Sequence, residues 1–501
     1  MKRVLWWGEL LAGLGLLTVG FLQDCSLTFG RPVISYVLWP TILLAGLVCL
    51  YRVIHLKHYW KSRGFWLMVA FCGCYLISTV LNIRFGWYEN IRTLILQGFL
   101  FFLIYCYPDE PEVHGTRKRD IWMGYFIIAC SILSILSFVY FLTGRNEIYY
   151  PEVASIPLYY TGFYWGRLYG VYWDPNIGGL MCCVSLMLSA EFFRRYKSVV
   201  VRILMCASIA LSVLYIAFSD SRTGRLAMGI GVAIYAVVWA SKSRKRAVAS
   251  TCAALAVVVA IGAPVLIKST YNNMMQAQEE ALQAAEEEAL LEAEQEQLKE
   301  AAKESAKTED KKEPKTETSR KPVKIDEAEI AQKMAEGEIT GTETVIRQSD
   351  DISADLTNRR LDIWKSAVDI FLANPVFGVG HNTVLAYVEA EQPDSYLINN
   401  DHMHFASMHN TFFDVLVAQG AAGFALYLAM AILFVVVILK DRSRIFEQME
   451  GQGIVMFALV AAMVCASCFM SEIVYVCSPM SFMFWMALSV MMRASKPKKE
   501  A

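Results

Sequence analysis

One histidine and two arginines stand where this chain enters or leaves its apolar segments, and their types suggest acid–base and phosphate chemistry. His409, in DHMHFASMHN, directly precedes a long apolar run. A histidine there can be partly desolvated and can act as a general base, because its pKa lies near working pH. Arg222, in FSDSRTGRLAM, and Arg360, in NRRLDIW, lie at the starts of helical segments. Guanidinium groups stay charged and bind phosphate through paired donors. The pattern predicts a phosphate-binding site beside a base.

Other residues could support such a site or have ordinary roles. Possible supporting residues are Arg167 in WGRLYGVYWDPN, Arg225, Arg359, Asn410 and His404. Each arginine taken singly could be an interfacial side chain whose stem lies along the apolar surface. His402, His404 and His409 could instead form a zinc site. Because no carboxylate pattern completes that site, we expect no metal.

The composition indicates that these residues sit on a polytopic membrane protein. Of 501 residues, 56% are hydrophobic and only 19% are charged, and the formal net charge is −1. A soluble protein averages roughly 45–50% apolar and 25% charged residues. Nucleic-acid binding, which calls for a basic footprint, is not expected.

Apolar segments long enough to cross a bilayer, about 17–25 residues each, recur along the chain. The twelve predicted spans are 4–23, 33–51, 64–83, 91–107, 120–143, 175–193, 200–219, 223–240, 247–267, 411–439, 453–471 and 473–492. We expect the first to be a retained span, because no small-residue cleavage site follows it.

The basic residues give the spans an orientation. Of 46 Lys and Arg, 24 fall on alternate connections and at the two ends of the chain. By the positive-inside rule, both termini are predicted to be cytoplasmic and the long 268–410 connection extracytoplasmic.

The long connection changes composition twice. From residue 279 to 355 it holds 23 acidic against 11 basic residues, first in a helix-favouring Ala/Glu run and then in a stretch that predicts disorder. This acidic insert is either a solvated insertion or an arm that keeps partners at a distance.

An amphipathic helix follows the acidic insert, with Leu361, Trp364 and Val368 at helical spacing. The predicted regions are 1–267, 268–355, 356–410 and 411–501.

Several motifs together resemble the O-antigen ligase/polysaccharide polymerase superfamily over about 160–440. The most specific is His409-Asn410 followed at fixed spacing by Gly420 and Gly423. Three further segments are similar to those of the family: Arg167-x-x-Gly170 with Asp174-Pro175-Asn176, Ser221-Arg222-Thr223-Gly224, and Arg360-Leu361-x-x-Trp364 leading to Asn374-Pro375-x-x-Gly378-x-Gly380. The acidic insert is unusual for the family.

The resemblance implies an all-α polytopic membrane protein of about twelve helices, with a GT-C-like glycosyltransferase architecture and one large extracytoplasmic loop. It also implies glycan transfer from an undecaprenyl-diphosphate-linked donor on the outer face of the cytoplasmic membrane, without cofactor. Arg222 and Arg360 would bind the diphosphate, and His409 would take the proton of the acceptor hydroxyl, with inversion. The acceptor, a glycan or a lipid, is not identified by any residue. Protein partners are not identified either.

A different class of function also fits a polytopic chain. It could be a non-catalytic transporter of a solute or of a lipid-linked glycan. Transporters commonly place ionisable residues at mid-bilayer and contain internal repeats. Here the cations cluster at span ends and the two halves show no repeat. The sequence therefore favours the enzyme.

Overall fold

The computed structural model describes residues 2–106, 115–149, 159–242, 245–305, 359–400, 404–449 and 452–496, which are mostly helical. The α-helices are α1 (Lys2–Gln23), α2 (Val33–Ile54), α3 (Phe65–Leu81), α4 (Tyr88–Phe99), α5 (Gly115–Leu142), α6 (Pro175–Arg195), α7 (Val199–Phe218), α8 (Arg222–Lys242), α9 (Arg246–Ser305), α10 (Arg360–Ala373), α11 (Val384–Glu391), α12 (Thr411–Lys440), α13 (Arg442–Gln448), α14 (Gln452–Ala466) and α15 (Pro479–Ala494). A π-helical segment, Leu100–Tyr105, continues α4.

Within the described residues, eight helices are long and apolar enough to cross a membrane, so the chain is an integral membrane protein. They are α1, α2, α5, α6, α7, α8, α9 and α12. Helices α3 and α14 are apolar but shorter. The predicted count of twelve spans, the orientation and the GT-C-like architecture stay predictions.

The last two predicted spans have different limits in the structure. Helix α14 ends at Ala466 and α15 begins at Pro479, so residues 467–478 form a non-helical connector instead of a turn around Glu472. Ser478 caps α15 through a capping box with Ser481, and the proline at the first helical position fixes that start. We call residues 467–478 the connector.

The expectation of an all-α chain is wrong in one place. Three short antiparallel strands, β1 (Glu147–Tyr149), β2 (Tyr159–Tyr164) and β3 (Arg167–Gly170), form a sheet in the order β1-β2-β3. Aromatic and β-branched residues favour strands, and Gly166 allows the tight turn between β2 and β3. Gly170 has φ +62°, and a Cβ there would overlap Ser137 of α5, so the sheet lies directly on that helix.

The chain forms two compact units, 1–265 with 347–501, and 266–346. Helix α9 is continuous from Arg246 to Ser305, as the helix-favouring Ala/Glu run predicts for the first part of the acidic insert. Residues 306–358, which include the stretch 308–327 for which the sequence predicts disorder, lie outside the described residues. The predicted boundaries at 267/268 and 355/356 stay predictions.

Two of the basic residues used to orient the spans are buried in the helix bundle. Arg52 of α2 and Lys118 of α5 both pair with Glu9 of α1, and the Arg52–Glu9 distance is 2.5 Å. Arg52 also donates to the carbonyl oxygens of Leu103 and Cys106 at 3.0 Å. Because charges are costly in an apolar bundle unless they are paired, this triad ties α1, α2 and α5 to the π-helical segment.

Helix α10 confirms the predicted helix, but its buried face is not the one that the spacing suggests. Ile363, Ala367 and Ile370 are buried, whereas Leu361 and Leu372 are exposed. The helix is apolar on more than one side, and the side with the small alanine packs against α12.

Helix α12 is broken at Gly420, where φ is +60° and ψ is −160°. The break releases backbone groups on both sides of the glycine. The carbonyls of Val417 and Ala418 accept from the amides of Val379 and Gly380 at 2.9 and 3.0 Å.

On the other side of the glycine, the amides of Ala421 and Ala422 donate to Pro375 and Val376 at 2.8 and 3.1 Å. The Asn374-to-Gly380 segment is thereby bonded into the gap, which satisfies backbone groups that would otherwise be buried without partners.

We predict that Gly420→Ala destabilises the protein. A Cβ there would lie 2.5 Å from the Val376 carbonyl, and alanine disfavours this φ by about 1–3 kcal/mol before any clash. The measurement is the thermal midpoint in detergent.

The matched control is Gly46→Ala in α2, where a Cβ meets nothing within 4 Å. There alanine adds helix propensity, about 1 kcal/mol. Equal thermal midpoints for the two variants would contradict the proposed role of the break.

Candidate functional site

His409 lies in a strained turn just before α12. Its φ is +49°, a left-handed conformation that few residues other than glycine adopt. The turn is held by Asp414, which accepts from the Met408 amide at 2.8 Å, and by Ser407, whose hydroxyl accepts from the His409 amide at 3.1 Å. Such strain persists only where neighbouring contacts over-determine it. The backbone conformation therefore fixes the orientation of the imidazole.

The connector fixes this turn from the other side. Asn410 caps α12 by accepting from the amides of Phe412 and Phe413, and its amide donates to the Cys468 carbonyl at 3.0 Å. Ser471 donates to Asp414. The Asn410 of the sequence motif is thus a cap and a bridge, which explains why it follows the histidine directly.

The same connector also holds Arg360. Its guanidinium donates to the Phe469 carbonyl at 3.1 Å and lies 5.6 Å from the Phe469 ring centroid. Trp364, one turn further along α10, donates to the Met408 carbonyl at 3.0 Å and stacks on Phe413 at 5.4 Å. Helix α10 therefore brings Arg360 to the histidine turn.

Arg222 is the first residue of α8 and is exposed. Ser221 caps the turn by accepting from the Gly224 amide at 3.0 Å. Gly224 permits a close approach of α8 to α6, since a Cβ there would lie 2.9 Å from the Gly179 carbonyl carbon. Among the described residues, Arg222 has no hydrogen-bond or ion-pair partner, which leaves its donors available for a ligand.

Arg167 is a structural bridge. Its Nε donates to the Ser219 carbonyl at 2.9 Å and its Nη2 donates to Asn176 Oδ1 at 3.0 Å. Asn176 is in the first turn of α6, which Asp174 caps by accepting from the Asn176 amide at 2.5 Å. Arg167 thus joins β3 to the turn before Arg222 and to the start of α6.

Arg360 interacts electrostatically with Arg222 and with His409, which come from segments far apart in the chain. Burial lowers the pKa of Arg360, and the charge of Arg222 lowers it further, while the charge of Asp174 opposes the shift. The two guanidinium groups therefore repel each other, and an anion bound by both would offset that repulsion.

Desolvation lowers the pKa of His409, with Arg360 acting in the same direction and Asp174 opposing it. His409 nevertheless keeps an exposed surface. The lowered pKa of His409 favours the neutral imidazole that a general base requires.

Two buried carboxyl groups near this site have no counterpart among the sequence predictions. Burial raises the pKa of Asp24, and the nearby Asp174 raises it further. Burial and the charges of Asp24 and Asp174 raise the pKa of Glu472, which accepts from Ser478 at 2.9 Å. Asp24 lies at the end of α1 and Glu472 in the connector, so no local spacing links them to Asp174. The Trp173 amide donates to the Asp24 carbonyl at 2.9 Å, which brings them together.

His381 is a second histidine, and none of the sequence motifs includes it. It follows Gly380 in the segment bonded to the Gly420 break, and its ring stacks on Tyr475 at 4.8 Å. Burial lowers the pKa of His381 to about 4, so its ring is neutral. Its position beside a motif glycine is the only sequence signal that could have drawn attention to it.

The remaining predicted residues have more ordinary surroundings. Arg225 pairs with Asp220 at 3.0 Å. Arg359 and His404 are exposed. A Cβ on Gly423 would overlap the Gln419 side chain, so this glycine makes room for a neighbour.

The zinc alternative rests on His402, His404 and His409. Among the described residues, no group of three or more His, Cys, Asp or Glu side chains is placed to hold a metal ion, and His402 lies outside them. The expectation of a metal-free site stays a prediction.

We predict that Asp174→Asn lowers the pKa of His409. Removing the negative charge disfavours the protonated imidazolium, whereas asparagine caps α6 about as well as aspartate. Arg360→Gln should shift the same pKa upwards. The measurement is a pH titration by NMR with labelled histidine, in which His409→Gln identifies the signal.

Asp120→Asn is the matched control, because Asp120 pairs with Arg195 at 2.8 Å and is not among the groups that act on His409. An unchanged or higher His409 pKa in Asp174→Asn would show that the two groups do not interact.

Comparison with known proteins adds a second line of evidence. A family model described as O-Antigen ligase matches residues 207–428, a range that contains Arg222, Arg360, His409 and both motif glycines. A search of curated proteins gives no match for this chain. The family match confirms the resemblance in the sequence motifs: over residues 207–428, this integral membrane protein is similar to the O-antigen ligase family.

Proposed function

We propose that this protein transfers or polymerises glycan from an undecaprenyl-diphosphate-linked donor on the outer face of the cytoplasmic membrane. The family is one of O-antigen ligase-type enzymes, which implies lipid-linked glycan substrates. The finer assignment rests mainly on one observation: the guanidinium of Arg360 interacts electrostatically with both Arg222 and His409.

In the proposed reaction, the acceptor hydroxyl attacks the anomeric carbon of the donor sugar while His409 takes its proton. The bond between that carbon and the diphosphate oxygen breaks, and undecaprenyl diphosphate leaves with the bonding electrons. Attack on the face opposite the leaving group inverts the linkage. The leaving diphosphate gains negative charge, so preorganised Arg222 and Arg360 stabilise the transition state more than the ground state.

The charges of the site suit a neutral His409 as base and two arginines that bind the diphosphate. Asp174 limits the loss of basicity that burial and Arg360 impose on His409. The buried Asp24 and Glu472 have raised pKa values, which favour their neutral forms and reduce repulsion of an anionic donor. We also propose that no metal takes part, since the arginine pair supplies the positive charge.

We predict that His409→Ala lowers turnover by about 10²–10⁴-fold, the usual contribution of a positioned base. Arg222→Ala and Arg360→Ala should each weaken donor binding and lower turnover. The assay is glycan transfer by purified protein in lipid, with a synthetic undecaprenyl-diphosphate-linked glycan and an added acceptor.

Arg84→Ala is the control, because Arg84 is exposed and pairs with Glu391 at 2.9 Å. Wild-type turnover in a well-folded His409→Ala protein would refute the catalytic assignment. Movement of the donor across the bilayer without a new glycosidic bond would support a transporter. A ladder of lengthening products indicates a polymerase, and a single transfer to a lipid acceptor indicates a ligase.

We further predict that a chelator leaves the wild-type rate unchanged. The reaction as proposed uses only arginine and histidine side chains for charge stabilisation and proton transfer. The rate before and after treatment with EDTA, followed by removal of the chelator, is the measurement. If activity is lost and added zinc restores it, the result would support the alternative in which the histidines bind zinc.

A further inference from the structure

The β2–β3 hairpin carries four aromatic rings that contact one another. Tyr160 lies 5.1 Å from Tyr164, 4.5 Å from Trp165 and 5.6 Å from Tyr169, measured between ring centroids. We call these four residues the hairpin aromatic cluster. Tyr160 and Tyr164 are four residues apart in β2 and therefore share a face of the sheet.

The opposite face of the same strand packs against the protein. Tyr159 is only 3% exposed and contacts Phe29 at 5.4 Å and Trp173 at 6.2 Å. By contrast, Trp165 is 46% exposed. One face of the hairpin thus anchors it, and the exposed Trp165 lies at its turn.

Trp165 occupies a position that its backbone disfavours. It forms the two-residue turn between β2 and β3 with Gly166, and both residues have positive φ, +49° and +68°. Turns of this kind favour Asn, Asp or Gly at the first position, and a bulky residue there is an outlier. A half-exposed tryptophan recovers only part of this cost by burial, so the strained position points to a function.

The cluster is joined to the candidate active site by direct hydrogen bonds. Arg167 follows the turn and donates to the Ser219 carbonyl, three residues before Arg222, and to Asn176 at the start of α6. On the same strand, the Tyr169 carbonyl accepts from the Tyr215 hydroxyl at 2.9 Å. The aromatic face is therefore held at a fixed position relative to the Arg222 turn.

We propose that the hairpin aromatic cluster binds sugar residues of the glycan substrate, a role that rests on the proposed function. A pyranose ring has a face of C–H groups that packs on aromatic rings such as the exposed indole of Trp165. The sugars of the donor are attached to the diphosphate, so a glycan held by Arg222 extends from the turn to which the hairpin is bonded. Continuity with this turn favours a glycan over lipid headgroups, which aromatic side chains at a membrane interface also contact.

The test uses Trp165→Asn, because asparagine suits the turn that tryptophan strains. We expect this variant to keep or raise the thermal midpoint while the KM for a donor with a full repeat unit rises about three- to tenfold, the scale of a lost aromatic contact. Its kcat, and its KM for a donor with a single sugar, should stay at the wild-type values.

Trp39→Ala is the matched control, since Trp39 of α2 is 56% exposed and lies outside the hairpin. Unchanged KM values for both donors in Trp165→Asn would overturn the proposal. An equal rise of both KM values in Trp165→Asn would overturn it too. Weaker association of Trp165→Asn with protein-free lipid vesicles would also overturn it, because that result would indicate a membrane contact.

A second measurement separates this proposal from the proposed function. Saturation-transfer NMR with the free oligosaccharide, without lipid or diphosphate, detects sugar binding in His409→Ala protein whether or not the wild type is an enzyme. Magnetisation transfer to the sugar protons in the His409→Ala protein, and its loss in the His409→Ala/Trp165→Asn protein, supports the subsite. Equal transfer in both proteins, or none in either, refutes it.

Discussion

The break of α12 at Gly420 is the constraint on which the geometry of this protein depends. A continuous helix would satisfy its own backbone and leave the Asn374-to-Gly380 segment without partners. Instead, four hydrogen bonds pass between the break and that segment. This contact fixes the end of α10, whose first residue, Arg360, is bonded to the connector. The connector in turn bonds Asn410 and Asp414 beside His409. Backbone pairing at a glycine thereby sets the distance between a cation and a base.

The charges around His409 determine what the candidate site can bind. The site concentrates positive charge from Arg222 and Arg360 and balances it with one nearby carboxylate, Asp174. Asp24 and Glu472 are close to Asp174, but burial favours their neutral forms. The result is a site with net attraction for an anion and a histidine that stays unprotonated. Both properties suit a reaction in which a diphosphate leaves and a hydroxyl loses its proton.

The sequence predicts candidate site residues more readily than it predicts the residues that support them. Arg222, Arg360 and His409 stand at helix starts, where hydropathy alone marks them, and electrostatic interactions link Arg360 to each of the other two. The roles of Asn410, Gly420 and Gly224 as cap, break and close approach depend on partners far along the chain, which spacing does not show. Asp24 and Glu472 could not have been predicted for the same reason. The connector was assigned to helices because its residues are apolar, although Ser478 and Pro479 carry a helix-start signal at its end. The short sheet was missed because its strands are brief and lie between long apolar helices.

The central claim is that Arg222 and Arg360 together bind one diphosphate. A double-mutant cycle on the affinity for a short polyprenyl diphosphate, with Arg222→Ala, Arg360→Ala and the double variant, tests it most directly. Two side chains that hold the same group should show a coupling energy of about 0.5–3 kcal/mol, so that the second substitution costs clearly less or more than it does alone. Strictly additive losses, or no loss from either substitution, would contradict the account.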